Sequence, residues 1–258
     1  MGYQAVRPAP HHEYLPILNT AIKSNEDYQH EFRWHLPNEH RPAGRPAKKS
    51  PLYPMLKEKS AEFGVVNGWE RTSFYKPSPD FVESYGYAFQ NWHDVVGEEI
   101  NALCRSVGIA ELSGFNHYRI SGSDVQVWLS GLMCSRISSK IGKASLCYFL
   151  TPKRNISGEA TVVPLSDGEI FYGSAATAEY HDMDCLHEQL PESSDIKIES
   201  YTKTHTMFVI AGPQTRELLA SVSPRTRWSP QEFPWLTAQQ VFIGHIQAMA
   251  IVISYSGE

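Results

Sequence analysis

The sequence predicts an α+β fold built from mostly antiparallel sheets with packed helices. Two observations support this fold class. Segments whose apolar residues recur at helical spacing are interleaved with segments of period two that are rich in β-branched and aromatic residues. Several period-two segments also follow one another across short turn signals such as Ser166-Asp167-Gly168-Glu169, which is typical of hairpins and hence of antiparallel pairing.

Length and composition indicate a folded chain that binds neither nucleic acid nor membranes. The 258 residues are 41% hydrophobic and 20% charged, enough to bury a core. The formal net charge is −5, whereas nucleic acid or an anionic membrane favours a strongly basic protein. No apolar run approaches the ~18–20 residues of a membrane-spanning helix. Residues 1–12 contain no apolar signal-peptide segment, so we expect a protein that is not secreted.

The first third of the chain predicts a helix, a linker and a second helix. The first helix covers about residues 15–30. Residues 38–51 are dominated by proline, glycine and basic side chains, which is typical of a linker, with a phosphate-binding basic patch as the sharper alternative. Residues 50–62 predict a helix because Ser50 can cap it, Pro51 suits its first turn and Gly64 follows. A loop is expected over residues 64–79.

The next helix has the clearest periodicity in the chain. Its apolar residues recur at helical spacing from Trp92 until Gly108 supplies a stop, and they predict a face turned toward a core. These residues are Val95, Val96, Ile100, Leu103, Cys104 and Val107. A strand with Phe115, Tyr118 and Ile120 near its inward face should follow. Asp124 should then precede an amphipathic helix carrying Val125, Trp128, Leu129, Leu132 and Met133.

From residue 144 onward the predicted elements are mainly strands. We expect strands over residues 145–150, 156–165 and 170–173, a helix over 178–189, and strands over 196–201 and 206–211. Pro213 suits the first turn of a further helix, whose inward side should carry Leu218, Leu219 and Val222. A final hairpin is expected over residues 238–254.

Known nucleotide-binding and catalytic motifs are absent from the sequence. There is no GxGxxG, GxxxxGK[ST], HExxH or GxSxG. The cysteines form no CxxC pair and their spacing suits neither a zinc site nor a disulfide scaffold. Three of them lie within apolar runs, so we expect buried free thiols and a reducing compartment. They are Cys104, Cys134, Cys147 and Cys185. His181 and His187 share a predicted helix with several acids, which suits either a metal site or, with fewer assumptions, a solvated helix face.

Two side chains have the chemistry of a site. Glu159 lies inside a strand-like apolar segment, where a charge costs stability unless it is paired or solvated. It is therefore either an outward-facing sheet residue or a site carboxylate. Tyr255 stands between small residues in the turn Ser254-Tyr255-Ser256-Gly257, which suits either a ring placed against a flat ligand or a packing residue at the sheet edge.

A series of short motifs carries a resemblance to a known family. The motifs are Ala43-Gly44-Arg45-Pro46, Ser50-Pro51-Leu52-Tyr53, Phe63-Gly64, Gly68-Trp69-Glu70-Arg71, Leu150-Thr151-Pro152-Lys153, Glu159-Ala160-Thr161-Val162, His181-Asp182, Ala211-Gly212-Pro213-Gln214 and Ser254-Tyr255-Ser256-Gly257-Glu258. In this order they resemble the folate-dependent part of the dimethylglycine dehydrogenase and sarcosine dehydrogenase family, relatives of the glycine-cleavage aminomethyltransferase or T-protein. The resemblance implies an N-terminal tail and linker over residues 1–50 and an incomplete folate-binding domain over residues 51–258.

The resemblance also implies a reaction. In that family an FAD domain oxidises an N-methylated amine to an iminium, and the folate domain moves the one-carbon unit to tetrahydrofolate, giving 5,10-methylenetetrahydrofolate. This implies an oxidoreductase of one-carbon metabolism whose FAD domain lies outside the chain. The family's catalytic Asp aligns with Glu159, which keeps the charge but moves the carboxylate by one methylene. Tyr255, Tyr172 and Gly173 are the expected folate-binding positions.

Several positions depart from the family pattern. Leu146 stands where aminomethyltransferases have a tyrosine, Val252 where an arginine is frequent, and Gly173 where an asparagine follows a strand. The family's pterin-binding glutamate aligns beyond residue 258. The alternative is therefore a non-catalytic regulatory or partner-binding homologue of the same fold.

The expected partners follow from the same resemblance. They are a folate, a methylated amine such as dimethylglycine or sarcosine, and an FAD domain in the same chain or a second copy in an oligomer. The implied compartment is the mitochondrial matrix or, in bacteria, the cytoplasm.

Overall fold

The computed structural model describes residues 17–254 and confirms an α+β fold. The helices span Ile17–Gln29 (α1), Tyr53–Glu58 (α2), His93–Arg105 (α3), Val125–Leu132 (α4), Glu179–Glu188 (α5) and Thr215–Val222 (α6). The strands span Ala61–Val66 (β1), Trp69–Tyr75 (β2), Gly108–Glu111 (β3), Asn116–Ser121 (β4), Ser145–Leu150 (β5), Ile156–Ser166 (β6), Glu169–Ser174 (β7), Lys197–Ser200 (β8), Phe208–Ala211 (β9), Thr237–Ile243 (β10) and Ile246–Val252 (β11). Wherever two of these strands are hydrogen-bonded to each other, they run antiparallel.

A five-stranded sheet in the order β5-β6-β7-β4-β8 forms the centre of the protein. Successive side chains of a strand point to opposite faces, and one face of this sheet is the core. Tyr118 lies opposite Tyr172 in the ladder, and Ile120 lies opposite Ile170. These side chains are at most 1% exposed and pack in one cluster with Leu129 of α4 and with α5. The two helices therefore cover one face of the sheet.

The strands β1 and β2 form a hairpin that the sequence-based expectation of a loop missed. Their turn is Asn67-Gly68, and both residues have positive φ, 51° and 80°. That conformation matches the two-residue turn whose twist suits a hairpin, and Asn-Gly is its preferred sequence. The preceding helix is also shorter than expected. It ends before Ser60, whose φ is 64°, and strand β1 begins at the next residue.

Residues 45–48, expected within a linker, pack against this hairpin. The Lys48 backbone N–H donates to the Gly68 carbonyl (2.8 Å), and the Glu70 N–H donates to the Lys48 carbonyl (2.9 Å). Arg45 forms an ion pair with Glu70, whose side chain is 2% exposed. The segment before α2 is thus held to strand β2 by main-chain and side-chain bonds.

The hairpin is in turn attached to helix α5. Asn67 donates from Nδ2 to Glu179 Oε2 at 2.7 Å, and Lys48 Nζ lies 3.4 Å from the same oxygen. The Glu179 carbonyl accepts a hydrogen bond from the Tyr118 hydroxyl at 2.9 Å. One residue of α5 therefore joins the hairpin, the segment before it and the central sheet.

Some apolar positions are more exposed than their periodicity predicted. No side chain of α3 is fully buried, and Ile100 is 53% exposed. Val222 in α6 is 41% exposed, so the prediction that it faces inward is wrong. Of the four free thiols, Cys147 is buried while Cys104 and Cys134 are exposed. None of the helices within residues 17–254 has both the length and the apolar character that a membrane crossing requires.

Candidate functional site

Glu159 lies on the face of the central sheet opposite α4 and α5. Strand β6 pairs with β5 so that Glu159 is directly opposite Tyr148. In the neighbouring row, Thr161 lies between Leu146 of β5 and Gly173 of β7. Directly opposed residues of an antiparallel pair point to the same face, with Cβ atoms roughly 5 Å apart. The five positions therefore form one continuous patch on this face, which we call the outer patch.

The Glu159 side chain is exposed, unlike its neighbours Ala160 and Val162, which are 2% and 0% exposed on the core face. Its carboxylate has no hydrogen bond or ion pair with the residues that the structure describes. An accessible carboxylate without a partner can accept a proton, donate one, or balance a nearby positive charge. The outward position of Glu159 thus agrees with both interpretations drawn from the sequence.

Tyr172 and Gly173 are adjacent in sequence but lie on opposite faces of β7. Tyr172 is completely buried on the core face, and its hydroxyl donates to Asp182 Oδ2 at 3.0 Å. Burial and the nearby Asp182 charge hold the Tyr172 pKa far above its ordinary value. The structure therefore brings Gly173 to the outer patch with Glu159 and leaves Tyr172 on the other side of the sheet.

The absence of a side chain at Gly173 is tied to its neighbour Phe171. A Cβ atom at position 173 would lie 3.0 Å from two carbons of the Phe171 ring. That distance is short for a carbon contact, so a larger residue would require the ring to move. The asparagine of the family pattern would therefore not fit here without rearranging Phe171.

A buried acid, Asp182, links α5 to the sheet and was not anticipated. Its side chain is 0% exposed, and its second oxygen, Oδ1, lies 3.2 Å from His181 Nδ1. His181 Nε2 in turn lies 3.3 Å from the Ser157 hydroxyl. The interpretation of this helix as a solvated face is therefore wrong for Asp182. Within residues 17–254, no three His, Cys, Asp or Glu side chains are grouped as a metal ion would require.

The remaining sequence-predicted positions have different outcomes. Tyr255 lies outside the described residues, so its position relative to Glu159 stays a prediction. Leu146 is 49% exposed in the outer patch and presents an apolar surface where a tyrosine was expected from the family pattern. Val252 ends β11 opposite Thr237, which in turn bridges Lys143 just before β5. The patch could have been found from the alternation of β6 together with its register against β5.

Comparison with known proteins identifies related sequences over most of the chain. A family model described as the GCVT N-terminal domain matches residues 52–258. Human mitochondrial dimethylglycine dehydrogenase is 31% identical over 242 residues, which cover 93% of this chain. The mitochondrial pyruvate dehydrogenase phosphatase regulatory subunit of Mus musculus is 23% identical over 224 residues, covering 83% of this chain and 25% of that protein.

Structural comparison supports the same fold. The crystal structure of the glycine cleavage system aminomethyltransferase T from Bartonella henselae superposes with a TM-score of 0.60 at 17% identity. The match covers 74% of this chain and 46% of that one. The chain spans only 28% of the length of human dimethylglycine dehydrogenase.

Proposed function

The chain belongs to the GCVT N-terminal domain family, and from that membership we propose that it is a folate-binding module for one-carbon transfer. In a longer FAD-linked dehydrogenase it would receive the one-carbon unit of an N-methylated amine, of the dimethylglycine or sarcosine type. Transfer to tetrahydrofolate would give 5,10-methylenetetrahydrofolate. The observation that carries this proposal is the exposed carboxylate of Glu159 in the outer patch, which has no partner among residues 17–254.

The outer patch has the chemistry that a reduced folate needs. A pterin ring is flat, with apolar faces and polar N–H groups at its edges. Leu146 is half-exposed and offers apolar contact, Thr161 offers a hydroxyl, and Glu159 offers a charged acceptor for N–H donors. Gly173 adds no side chain to the row. Bound tetrahydrofolate would supply the nitrogen atoms that accept the one-carbon unit.

Glu159 is the proposed acid–base and electrostatic group. Its carboxylate can hold a proton at Oε1 or Oε2 and release it, and while charged it stabilises a cation nearby. The role proposed for Tyr172 is indirect: the hydrogen bond from its hydroxyl to Asp182 fixes strand β7 to helix α5. For Tyr255 we propose contact with the folate. FAD is proposed only for a further domain of the parent protein, and the mitochondrial matrix is the proposed compartment of a eukaryotic parent.

Calorimetry with tetrahydrofolate tests the binding part of the proposal. Titration of the parent protein with wild-type Glu159 and with Glu159→Gln should show weaker binding of the variant, because the charged acceptor is lost. Glu199→Gln is the matched control, since Glu199 is exposed on strand β8 of the same sheet. Equal heats for all three proteins would remove Glu159 from the folate site.

A second candidate function is non-catalytic partner binding with the same fold. It is favoured by Leu146, which replaces a family tyrosine within the outer patch. The similarity to a protein named as a phosphatase regulatory subunit also supports it. The two functions differ in one result: a parent protein that is folded but releases no heat with tetrahydrofolate favours partner binding.

A further inference from the structure

A concave site lies beside the opposite edge of the central sheet. It is a cavity of about 390 Å³, enclosed by the start of β2, the segment before α2 and the loop between β8 and β9. A volume of this size suits a small organic molecule. In the sheet order, β8 is three strand spacings from β6, a lateral separation of ~14 Å. The cavity is therefore separate from the outer patch around Glu159.

The walls of the cavity carry basic and apolar groups and no acid. Its basic side chains are Lys49, Lys203 and His205, and the described residues lining it include neither Asp nor Glu. Pro51 and Pro54 contribute apolar surface to the same walls. A concave surface with cationic side chains concentrates anions, and the apolar part favours a ligand with a carbon body.

The deeper residues of the cavity retain donors without acceptors. Trp69 is 8% exposed, and its indole N–H is buried without a hydrogen-bond partner among residues 17–254. Thr202 is 2% exposed, and its Oγ1 already accepts bonds from the His117 N–H (3.0 Å) and the Ser200 hydroxyl (3.4 Å). Because a hydroxyl has two acceptor positions and one donor, the proton of Thr202 is left for an acceptor.

A nearly buried hydroxyl proton without an acceptor is costly, and a ligand acceptor at Thr202 would remove that cost. Glu111 does not supply that acceptor, because it is engaged with its own neighbours. Its Oε1 accepts the Ser113 N–H at 2.9 Å, and the Ser50 hydroxyl also bonds to it. The cavity therefore combines the hydroxyl donor of Thr202 with the exposed cationic side chain of Lys49.

We propose that this cavity is a binding site for a small organic anion, one that carries a carboxylate or phosphate group on a flat apolar body. The oxyanion would be placed near Lys49 and the Thr202 hydroxyl, and the apolar body would lie against Trp69 and the two prolines. This site goes beyond folate-dependent transfer and does not depend on it, since none of its residues belongs to the outer patch.

The probes that test the site are phenyl phosphate, benzoate and the neutral benzamide. Each is titrated into the 258-residue chain labelled with ¹⁵N, and the indole N–H resonance of Trp69 is followed after assignment with Trp69→Phe. Saturable shifts with the anions and none with benzamide are expected. The tighter of the two anions identifies whether phosphate or carboxylate is the preferred group.

Three variants place the effect at the cavity. Thr202→Val should weaken anion binding about tenfold through loss of one buried donor. Lys49→Met should weaken it by about two- to fivefold, a modest loss because Lys49 is exposed. Lys140→Met, also exposed but in the segment before β5 and outside the lining, should bind like wild type.

Several results would overturn the proposal. One is an unmoved Trp69 resonance, another is equal binding of benzamide and the anions, and a third is wild-type affinity in both Lys49→Met and Thr202→Val. If Thr202→Val does not fold, Lys49→Met still decides the matter, because its side chain lies on the surface.

Discussion

Arg45 holds Glu70 through two parallel hydrogen bonds, from Nε to Oε1 at 3.0 Å and from a terminal guanidinium nitrogen to Oε2 at 2.6 Å. The same terminal nitrogen donates to the Phe63 carbonyl at 2.7 Å. The Glu70 side chain is 2% exposed, so the pair is almost removed from water. Hydrogen bonding and the charge of Glu70 raise the pKa of Arg45. Two separate motifs of the family resemblance meet in this contact.

Removal of one partner should strongly destabilise the protein. Arg45→Met leaves the buried Glu70 carboxylate uncompensated, and the expected loss in free energy of unfolding is about 3–5 kcal/mol. Urea denaturation at neutral pH measures it, with the exposed Lys57→Met as control. The double variant Arg45→Met with Glu70→Leu should recover part of the loss. A single variant as stable as wild type would show that the pair contributes nothing.

Loss of the Tyr172 hydroxyl should also lower stability. Tyr172→Phe keeps the ring in the core but leaves Asp182, which is 0% exposed, without one of its donors. The expected cost is about 1–3 kcal/mol in free energy of unfolding. Tyr87→Phe is the control, because Tyr87 is 77% exposed. Equal effects of the two substitutions would contradict the assigned hydrogen bond.

Stability should fall in mild acid because of His117. Burial lowers its pKa from an ordinary 6.5 to about 4, with a smaller contribution from His205. Between pH 6.5 and about 4, His117 is therefore protonated in the unfolded chain and neutral in the folded protein. The stability contributed by neutral His117 is present above that pH and is lost as the pH falls toward 4, by up to about 3 kcal/mol.

Comparison with His117→Leu isolates this contribution. Leucine can pack against Phe171 and Met207, which the His117 ring contacts, and it does not titrate. Denaturation of both proteins across pH 4–7 should give a shallower pH dependence for the variant. Parallel curves would mean that His117 does not govern the acid response.

The central sheet was predictable because its strands have clear alternation. The strand predicted over residues 145–150 matches β5, and Glu159 lies outward because its neighbours Ala160 and Val162 are apolar and buried. The same alternation, applied to β7, would have placed Tyr172 and Gly173 on opposite faces. Alternation alone does not say which of the two residues faces the core. The register of β7 against β4 supplies that information, because it places Tyr172 opposite the buried Tyr118.

Other features depend on contacts that a local pattern does not contain. The Asn67-Gly68 signal for a hairpin is present in the sequence, but Gly64 interrupts β1, β2 is rich in charged and polar residues, and neither strand alternates cleanly. The periodicity of α3 correctly predicted a helix. It did not reveal that no side chain of this helix is fully buried. The burial of Asp182 follows from Tyr172, which is ten residues away in sequence and adjacent only in the fold.

The most direct test of one-carbon transfer is the rate of 5,10-methylenetetrahydrofolate formation by the parent dehydrogenase carrying Glu159→Gln. Because Glu159 is exposed and has no partner among the described residues, the free energy of unfolding should change by no more than about 0.5 kcal/mol. Flavin reduction by the amine, measured in the same samples, should match wild type. Product formation should fall about 100-fold or more through loss of the acid–base group. Formation of product at the wild-type rate would contradict the assignment of Glu159.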